Sequence, residues 1–418
     1  MSNVVKKELP ENWAWTTMDN ISDVVGGGTP KSKEKRFYQN GSIPWLTPAD
    51  LSGYKEKYVS NGARFITEDG LNSSSAKIMP AGTVLFTSRA PIGYVVIAKN
   101  EICTNQGFKS FVIKSDKILP DYVYWWLKGS KQLAESFASG TTFLELSGSK
   151  AKQLPIPIAP LEQQKRIVAK IEELFSHIDA GIEALNKVKQ LLKQYRQSVL
   201  KAAVTGELTK EWREQNKISL DEWEQTTIGE IALVQTGKTP KRSNQEFWEG
   251  GTIPWLTSSA TNNDFTNEAD QFVTQAAVDS GLKLFGSGTL LLAMYGEGKT
   301  RGQVTEITFQ ATCNQACAAI IVDQEKASNS YVRLRLYENY EETRKAASGG
   351  NQPNLNLTKV RDITLPLPGM VEQSEIVGQV EAKFDAIGRL ANELDIQLLK
   401  AEKNKQSVLA SAFSGVLN

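Results

Sequence analysis

The stretch Ile43–Thr47 reads IPWLT, and the same five residues recur at Ile253–Thr257, 210 positions further along the chain. At this offset the chain matches itself at several other places: Trp13 with Trp223, Thr16-Thr17 with Thr226-Thr227, Ile21 with Ile231, Gly27 with Gly237, and Thr29-Pro30 with Thr239-Pro240. Self-similarity at one fixed distance indicates a duplicated unit. We therefore predict two related copies, at about 1–209 and 210–418.

Each copy has a globular part followed by a helical part. Short alternating apolar runs in the globular part, such as GTVLFTS from Gly82, are typical of strands between turns. Helical segments lie among them, so the predicted fold class is α+β. Residues 1–153 are named head 1 and residues 213–366 head 2, and we predict helical spacers at 154–212 and 367–418.

The helical part of the first copy, from Leu161 to Ala203, contains no proline and repeats apolar residues at three–four spacing. This spacing predicts a heptad seam at Ile171, Leu174, Ile178, Gly181, Leu185, Val188, Leu192, Tyr195 and Val199, with Gln190, Lys193, Gln194, Arg196 and Gln197 outside it. The second copy offers a partner seam at Val377, Val380, Phe384, Ile387, Ala391, Leu394, Leu398 and Val408.

A pseudo-two-fold relation between the copies makes these two helices antiparallel. We therefore predict a coiled coil that separates the two similar heads. A helix of about 45 residues spans roughly 65–70 Å, or at most about 20 base pairs of B-DNA.

Composition limits the class of protein. Apolar residues make up 40% of the chain and charged residues 23%, as in folded globular proteins. No apolar run is long enough for a membrane helix, and the N-terminus lacks the apolar core of a secretory signal, which predicts a cytoplasmic protein without membrane contact. With three cysteines and one histidine, a metal site is not predicted, and buried free thiols are the expected state.

Charge is divided unevenly between the copies. The whole chain has a net charge of +1, whereas residues 1–153 carry 19 Lys and Arg against 14 Asp and Glu, and residues 216–366 carry 14 against 18. Any contact with DNA must therefore come from local clusters, above all in head 2.

The segment after the shared Thr-Pro pair is the first candidate for such a contact. It is TPKSKEKRFYQNG in head 1 and TPKRSNQEFW in head 2, and it supplies Lys31, Lys33, Lys35, Arg36 and Tyr38, matched by Lys241, Arg242, Ser243 and Asn244. Lys and Arg bind phosphate, while Arg and Asn also contact base edges. The alternative is a solvated loop with no ligand.

Two further segments supply candidates. The residues after IPWLT differ between the copies and contribute Asp50 in head 1 and Ser258, Ser259 and Asn262 in head 2. The loop after GTVLF or GTLLL reads TSRAPIGYV in head 1 and AMYGEGKTRGQV in head 2, and contributes Ser88, Arg89, Tyr295, Lys299 and Arg301. For the arginines a structural ion pair is the alternative. IPWLT itself is predicted to be a core anchor.

We find no catalytic set. The Asn/Asp-Pro-Pro-Tyr/Phe motif of amino-methyltransferases and the GxxxxGK[ST] phosphate loop are missing, and one histidine leaves little for acid–base chemistry. The sequence predicts a protein that recognises its ligand without transforming it.

The chain as a whole resembles the DNA-specificity subunit of type I restriction–modification systems. The resemblance rests on the duplicated layout, IPWL(T), SRAPIGYV, the helix entry LPIPIAPLEQQKRIVAKIEEL and the helix end YRQSVLKAAVTGELTKEWR. It implies that each head is a target recognition domain for one half of a bipartite double-stranded DNA site. It also implies that the paired helices set the spacer and dock two methyltransferase (modification) subunits, to which restriction (motor–nuclease) subunits are added.

The resemblance further implies that this chain is non-catalytic and holds no cofactor, since S-adenosylmethionine, ATP and Mg belong to the partner subunits. Two other functions are compatible with the residues: a stand-alone bipartite DNA-binding regulator, and a scaffold whose heads bind proteins.

Overall fold

The structure is a computed structural model that describes residues 8–140, 144–296, 300–346 and 354–417. It divides into two compact units, and each unit combines segments that are distant in sequence. Unit 1 comprises residues 1–185 and 396–418, and unit 2 comprises residues 186–395. Each unit therefore holds one head together with parts of both long helices.

The first half of the chain runs from short strands and helices into one long helix. The strands are β1 (Ala14–Thr17), β2 (Ser22–Gly26), β3 (Ile43–Leu46), β4 (Tyr58–Val59), β5 (Arg64–Ile66), β6 (Val84–Ser88), β7 (Ile92–Ala98), β8 (Cys103–Thr104), β9 (Lys109–Ile113) and β10 (Pro155–Ile158). The helices are α1 (Met18–Ile21), α2 (Glu68–Asn72), α3 (Pro120–Gly129), α4 (Lys131–Phe137), α5 (Gly148–Lys152) and the long α6 (Leu161–Val204), with 3-10 turns at Lys35–Phe37 and Pro48–Leu51.

From β11 onward the second half repeats this order. Its strands are β11 (Glu224–Thr227), β12 (Ala232–Thr236), β13 (Ile253–Leu256), β14 (Phe265–Thr266), β15 (Gln271–Val273), β16 (Leu290–Ala293), β17 (Val304–Ile307), β18 (Thr312–Cys313), β19 (Cys317–Val322) and β20 (Thr364–Leu367). Its helices are α7 (Lys210–Asn216), α8 (Ile228–Ile231), α9 (Gln275–Asp279), α10 (Asn329–Glu338), α11 (Tyr340–Ala346), α12 (Leu357–Arg361) and the long α13 (Met370–Ala412), with 3-10 turns at Leu220–Glu222, Gln245–Phe247 and Ser258–Asn262.

The two heads have the same sheet topology. In head 1 a larger sheet has the order β2-β9-β6-β7-β4 and a smaller one the order β5-β3-β8, while in head 2 the orders are β12-β19-β16-β17-β14 and β15-β13-β18. In each copy the first strand pairs antiparallel with the strand before the long helix, β1 with β10 and β11 with β20. The duplication and the α+β class are therefore confirmed.

IPWLT forms the central strand of the smaller sheet in both heads, because β3 and β13 each have a neighbour on both sides. Trp45 and Trp255 are only 1% and 3% exposed. Each indole Nε1 donates to a backbone carbonyl, that of Gly28 at 2.9 Å and that of Lys238 at 3.1 Å. The predicted role as a core anchor is confirmed, and the polar atom of each tryptophan also fixes the segment that leads to the first candidate loop.

The long helices pack against each other in an antiparallel sense within each unit. In unit 1, Asp179 of α6 accepts from Lys405 of α13 at 2.5 Å, and the Lys405 ammonium lies 5.7 Å from the centroid of the Phe175 ring. In unit 2, Lys189 pairs with Asp395, and the Arg196 guanidinium lies 3.9 Å above the Phe384 ring. As the residue number rises along α6, that of its partner on α13 falls, as predicted.

The seam on α6 differs from the prediction at three of the nine predicted positions. Val188 and Tyr195 are 44% and 48% exposed. Gly181 is also exposed, while Ile182, Lys189 and Arg196 are half-buried. The assignment of Gly181, Val188 and Tyr195 to the seam, and of Arg196 outside it, is therefore wrong. The apolar spacing predicted the wrong residues because Lys and Arg can also lie on a helix seam. Their aliphatic stems cover an apolar surface while the charged end stays at its edge.

A buried glutamine joins each long helix to its head. The Nε2 of Gln164 donates to the Ala159 carbonyl at 2.8 Å, and its Oε1 accepts from the Leu119 amide at 3.0 Å. Gln373 makes the equivalent bonds, to the Pro368 carbonyl at 2.9 Å and from the Ser328 amide at 2.9 Å. Both glutamines are completely buried, so the first turn of each helix is fixed to the body of its head.

The residue before this glutamine differs between the copies. Gln163 accepts from the Trp13 indole at 2.7 Å, whereas its counterpart Glu372 accepts from Trp223 at 2.8 Å and from Arg213 at 2.7 Å. The side chains of Arg213 and Glu372 are 7% and 2% exposed, so unit 2 contains a buried ion pair where unit 1 has a neutral hydrogen bond.

Replacing the carboxylate should therefore destabilise unit 2 far more than the matched change destabilises unit 1. Glu372→Ala leaves the Arg213 charge buried without its carboxylate and should lower the free energy of unfolding by about 3 kcal/mol. Gln163→Ala removes one neutral bond and should cost about 1 kcal/mol. Urea unfolding followed by tryptophan fluorescence measures both, and equal losses in the two variants would contradict this account.

No helix in the described part of the chain has both the length and the apolar composition needed to cross a membrane.

Candidate nucleic-acid interface

Each head contains a tight turn directly after the strand that pairs in parallel with IPWL, which is β8 in head 1 and β18 in head 2. In head 1 it comprises Thr104–Gly107, and the Asn105 side-chain oxygen accepts from the Gly107 amide at 2.8 Å. In head 2 it comprises Cys313–Ala316, and Asn314 accepts from the Ala316 amide at 3.0 Å. An asparagine that bonds the backbone two residues on is a common turn former. These two segments are named the Asn-Gln turns, after the Asn-Gln pair that both contain.

The Asn-Gln turn of head 1 touches all three segments that carry predicted contacts. The first candidate segment of head 1, Thr29–Gly41, and its counterpart in head 2 are called the first loop. The Gly28 amide, just before this loop, donates to the Thr104 carbonyl at 2.9 Å. The Asn105 amide donates to the Leu46 carbonyl, at the end of IPWLT, at 2.9 Å. The Ser88 amide, at the start of the third segment, donates to the Gly107 carbonyl at 2.7 Å.

Head 2 has the same three connections. The Lys238 amide donates to the Cys313 carbonyl at 2.9 Å, the Asn314 amide to the Leu256 carbonyl at 2.9 Å, and the Met294 amide to the Ala316 carbonyl at 2.7 Å. The candidate segments therefore meet at the same end of the larger sheet in each head. This convergence is invisible in the sequence, where the segments lie up to about 80 residues apart.

The repeated glycine before the first loop has a steric reason. A Cβ added to Gly27 would lie 1.9 Å from the Asn105 carbonyl oxygen, and one added to Gly237 would lie 1.8 Å from the Cys313 carbonyl oxygen. No side chain fits at these distances, so both positions need glycine for the backbone to approach the Asn-Gln turn.

The glutamine of each Asn-Gln turn is exposed and bonded to the first loop. Thr239 donates to the Gln315 side-chain oxygen at 2.6 Å, and Thr29 makes the same bond to Gln106. The sequence analysis did not predict this Asn-Gln pair as part of the site. Its signal was the recurrence of a polar pair beside a buried strand in both copies.

The first loop of head 1 presents a group of exposed cations. Lys31, Lys33, Lys35 and Arg36 are all exposed, and Arg36 lies 3.8 Å from Glu34. Tyr38 is half-buried, and its hydroxyl donates to the Pro30 carbonyl at 2.6 Å, so its polar atom serves the loop itself. The lysines and Arg36 therefore stay the predicted phosphate contacts of this loop.

The Asp50 side chain also makes hydrogen bonds within its own loop. Its carboxylate accepts from the amide and the hydroxyl of Thr47, both at 2.7 Å, and from the Ala63 amide at 2.9 Å. Although burial opposes ionisation, these bonds and the nearby Arg64 hold the pKa of Asp50 below its usual value. The anionic carboxylate thus acts first as a structural cap.

An arginine covers the buried tryptophan in each head, but it comes from a different segment. The Arg64 guanidinium, on β5, lies 5.0 Å from the Trp45 ring and 5.8 Å from Tyr38. In head 2, Arg242 of the first loop lies 4.7 Å from the Trp255 ring and 4.0 Å from Trp248. Arg242 stays a predicted DNA contact. The sequence analysis did not single out Arg64, because only the strand pairing brings it beside IPWLT.

The other candidates of head 2 on these first two segments divide into exposed residues and caps. Lys241, Ser243, Ser259 and Asn262 are exposed. Asn244 caps the following 3-10 turn by accepting from the Glu246 amide at 3.2 Å, and Ser258 is half-buried. Ser259 and Asn262 line an open polar cavity of about 350 Å³, which also includes Trp255 and Gln271.

The third segment gives a mixed result. Ser88 is completely buried, and its hydroxyl donates to the Gly107 carbonyl at 3.1 Å, so it cannot reach DNA from this position and its prediction is contradicted. Arg89 is half-buried and lies 3.5 Å from Glu145, which is the ion pair considered as its alternative. In head 2, Tyr295 is 36% exposed and Arg301 is half-buried. Lys299 lies outside the described residues.

The cysteines are free and buried, as predicted. Burial raises the pKa of the Cys103 thiol to about 11, which keeps it protonated near neutral pH. Among the described residues, no group of three or more His, Cys, Asp and Glu could hold a metal ion.

The close approach at Gly27 leads to a matched pair of variants. Gly27→Ala should lower the free energy of unfolding by about 3 kcal/mol, because the added methyl meets a backbone carbonyl that cannot move without breaking the Asn-Gln turn. Gly26→Ala is the control, since a Cβ there meets nothing within 4 Å, and its effect should stay within about 0.5 kcal/mol. Equal stability of the two variants by urea unfolding would show that the contact does not constrain the fold.

Comparison with known proteins agrees with the duplication. A family model described as "Type I restriction modification DNA specificity domain" matches residues 10–191 and again residues 220–399. The type I restriction enzyme MjaIX specificity subunit of Methanocaldococcus jannaschii is 29% identical over 413 residues, covering 94% of this chain and 91% of that protein.

Two solved structures share the fold. A chain from work on complex assembly and conformational transition of the type I R-M system is 17% identical, with a TM-score of 0.74 over 98% of this chain and 99% of that one. The HsdS subunit from Thermoanaerobacter tengcongensis is also 17% identical, with a TM-score of 0.62 over 99% and 100%. Because the two matches of this family model together cover most of the chain, the chain belongs to the type I restriction–modification DNA specificity domain family.

Proposed function

We propose that this chain is the specificity subunit of a type I restriction–modification complex, which recognises a bipartite DNA target and directs methyltransferase and restriction subunits to it. The observation that supports this most directly is the repeated Asn-Gln turn with its three backbone connections. It gives each head the same framework for presenting polar loops, while the side chains on those loops differ between the heads.

Different loops on one framework suit the reading of two different half-sites. In this proposal residues 1–153 and 213–366 are the two target recognition domains, and residues 154–212 and 367–418 are the spacers. Head 1 binds the phosphates of the DNA backbone with the lysines of its first loop and with Arg36. Head 2 has a less basic loop, where Lys241 contacts phosphate and Ser243, Ser259 and Asn262 supply hydrogen bonds to bases.

The long helices act as the ruler between the half-sites. α6 has 44 residues and α13 has 43, which at 1.5 Å per residue gives a length of about 65 Å. In each unit the two helices pack on each other, so we propose that they keep the heads at a fixed separation.

The outer faces of the helices offer polar contacts for two methyltransferase subunits. Gln190, Lys193, Gln194 and Gln197 are exposed on α6. The chain itself is non-catalytic in this proposal, it works in the cytoplasm, and S-adenosylmethionine, ATP and Mg are bound by the partner subunits.

Mapping of methylated bases in a host genome tests the function and the ruler together. With the intact chain we expect one bipartite methylated motif that disappears when the chain is deleted. Insertion of one heptad into both α6 and α13 should widen the unspecified spacer by about three base pairs, because seven residues add about 10 Å.

Two outcomes would count against the proposal. A spacer that stays unchanged in a folded, active insertion variant would exclude the ruler. A chain that binds a bipartite duplex but whose deletion leaves methylation unaltered would instead be a stand-alone DNA-binding regulator.

A further inference from the structure

Lys109 occupies a special place at the candidate interface of head 1. It is the first residue of β9 and pairs with Gly26, where β2 ends and the first loop begins. Its side chain is only 14% exposed. A Cβ built on Gly148 would lie 4.0 Å from the Lys109 Cε, so the stem passes close to the start of α5. The stem of this lysine is therefore largely enclosed by the protein.

The ammonium of Lys109 has only distant partners among the described residues. Its Nζ lies 3.5 Å from the Ser88 hydroxyl, 3.5 Å from the Gln106 carbonyl and 3.9 Å from the Glu145 carboxylate. An ordinary N–H···O bond is about 2.7–3.2 Å long, and an ammonium has three hydrogens to donate. A largely buried charge with long contacts alone is costly unless a further acceptor completes its shell.

The nearby charges leave an excess of positive charge. Arg89 lies 3.5 Å from Glu145, so one carboxylate serves both Arg89 and Lys109. Burial lowers the pKa of Lys109, Glu145 raises it, and Arg89 lowers it, with a net effect below the usual value. An incoming acceptor with negative charge or strong lone pairs would therefore be bound favourably at this place.

The Lys109 ammonium lies beside the Asn-Gln turn, because the Gln106 carbonyl, 3.5 Å away, belongs to that turn. The matching position in head 2 is Ala318, which pairs with Thr236 at the end of β12 as Lys109 pairs with Gly26 at the end of β2. The cation is thus a property of head 1 alone, within an otherwise shared framework.

We propose that Lys109, assisted by Arg89, donates hydrogen bonds to an acceptor on the DNA half-site bound by head 1, and is a specificity-determining or affinity-determining residue there. The acceptor chemistry is shared by two parts of DNA, the O6/N7 edge of guanine and a backbone phosphate oxygen. The inference rests on the proposed function and adds a residue, with its ligand chemistry, that the sequence did not reveal.

Binding of the full-length chain to its target duplex tests the proposal with three variants. Lys109→Ala installs the residue of head 2, and Lys109→Met keeps most of the stem while removing the charge. Lys99→Ala is the control, since Lys99 is an exposed lysine just after β7, at the opposite end of the larger sheet. Circular dichroism and urea unfolding confirm that each variant folds.

We expect both Lys109 variants to bind the target duplex about tenfold more weakly, with Lys99→Ala within about twofold of the unaltered chain. If guanine is the acceptor, the Lys109 substitutions should no longer weaken binding to a duplex in which one G·C pair of the head 1 half-site is replaced. The hydrogen bond from Lys109 to guanine is already absent in that duplex. If phosphate is the acceptor, the loss should be the same on every duplex, and the slope of log affinity against log salt should fall by about one.

The proposal is overturned if folded Lys109→Met binds as tightly as the Lys99→Ala control. It is also overturned if the loss follows base changes in the half-site of head 2. Failure of the proposed function gives different results: a chain that does not recognise DNA would select no duplex even when unaltered, and a stand-alone regulator would leave the methylated motif unchanged when it is deleted.

Discussion

The contact on which each head depends is the passage of a glycine backbone directly over the Asn-Gln turn. At Gly27 and Gly237 the space between the two backbones is smaller than one methyl group. Amide–carbonyl bonds from three other points on the chain then fix the same turn. Because these bonds use backbone atoms, the arrangement survives large changes in the side chains around it.

This division between backbone framework and variable side chains explains how two copies can share a fold and carry different polar side chains on their loops. The tryptophan of IPWLT is covered by Arg64 in head 1 and by Arg242 in head 2. Lys109, a cation whose side chain is only 14% exposed, lies where head 2 has Ala318. Loop chemistry changes, while the strand order and the turn stay the same.

Much of the fold could be predicted from sequence, because the duplication, the core role of IPWLT and the antiparallel helices depend on local patterns and on the repeat. Val188 and Tyr195 were wrongly placed on the seam, because apolar spacing alone does not reveal that the stems of Lys189 and Arg196 fill those positions. The site was only partly predictable. The loop lysines predicted as contacts are exposed, but Ser88 is buried, and the place of Lys109 depends on strand pairing between segments about 80 residues apart.

Hydrogen exchange of the full chain, with and without its target duplex, tests most directly whether the Asn-Gln turn end of each larger sheet faces DNA. The account predicts slower exchange of backbone amides on DNA binding in both heads, at residues 28–38, 105–109, 238–244 and 314–316. Slowing confined to residues 79–83 and 114–119, at the opposite end of the larger sheet of head 1, would contradict it.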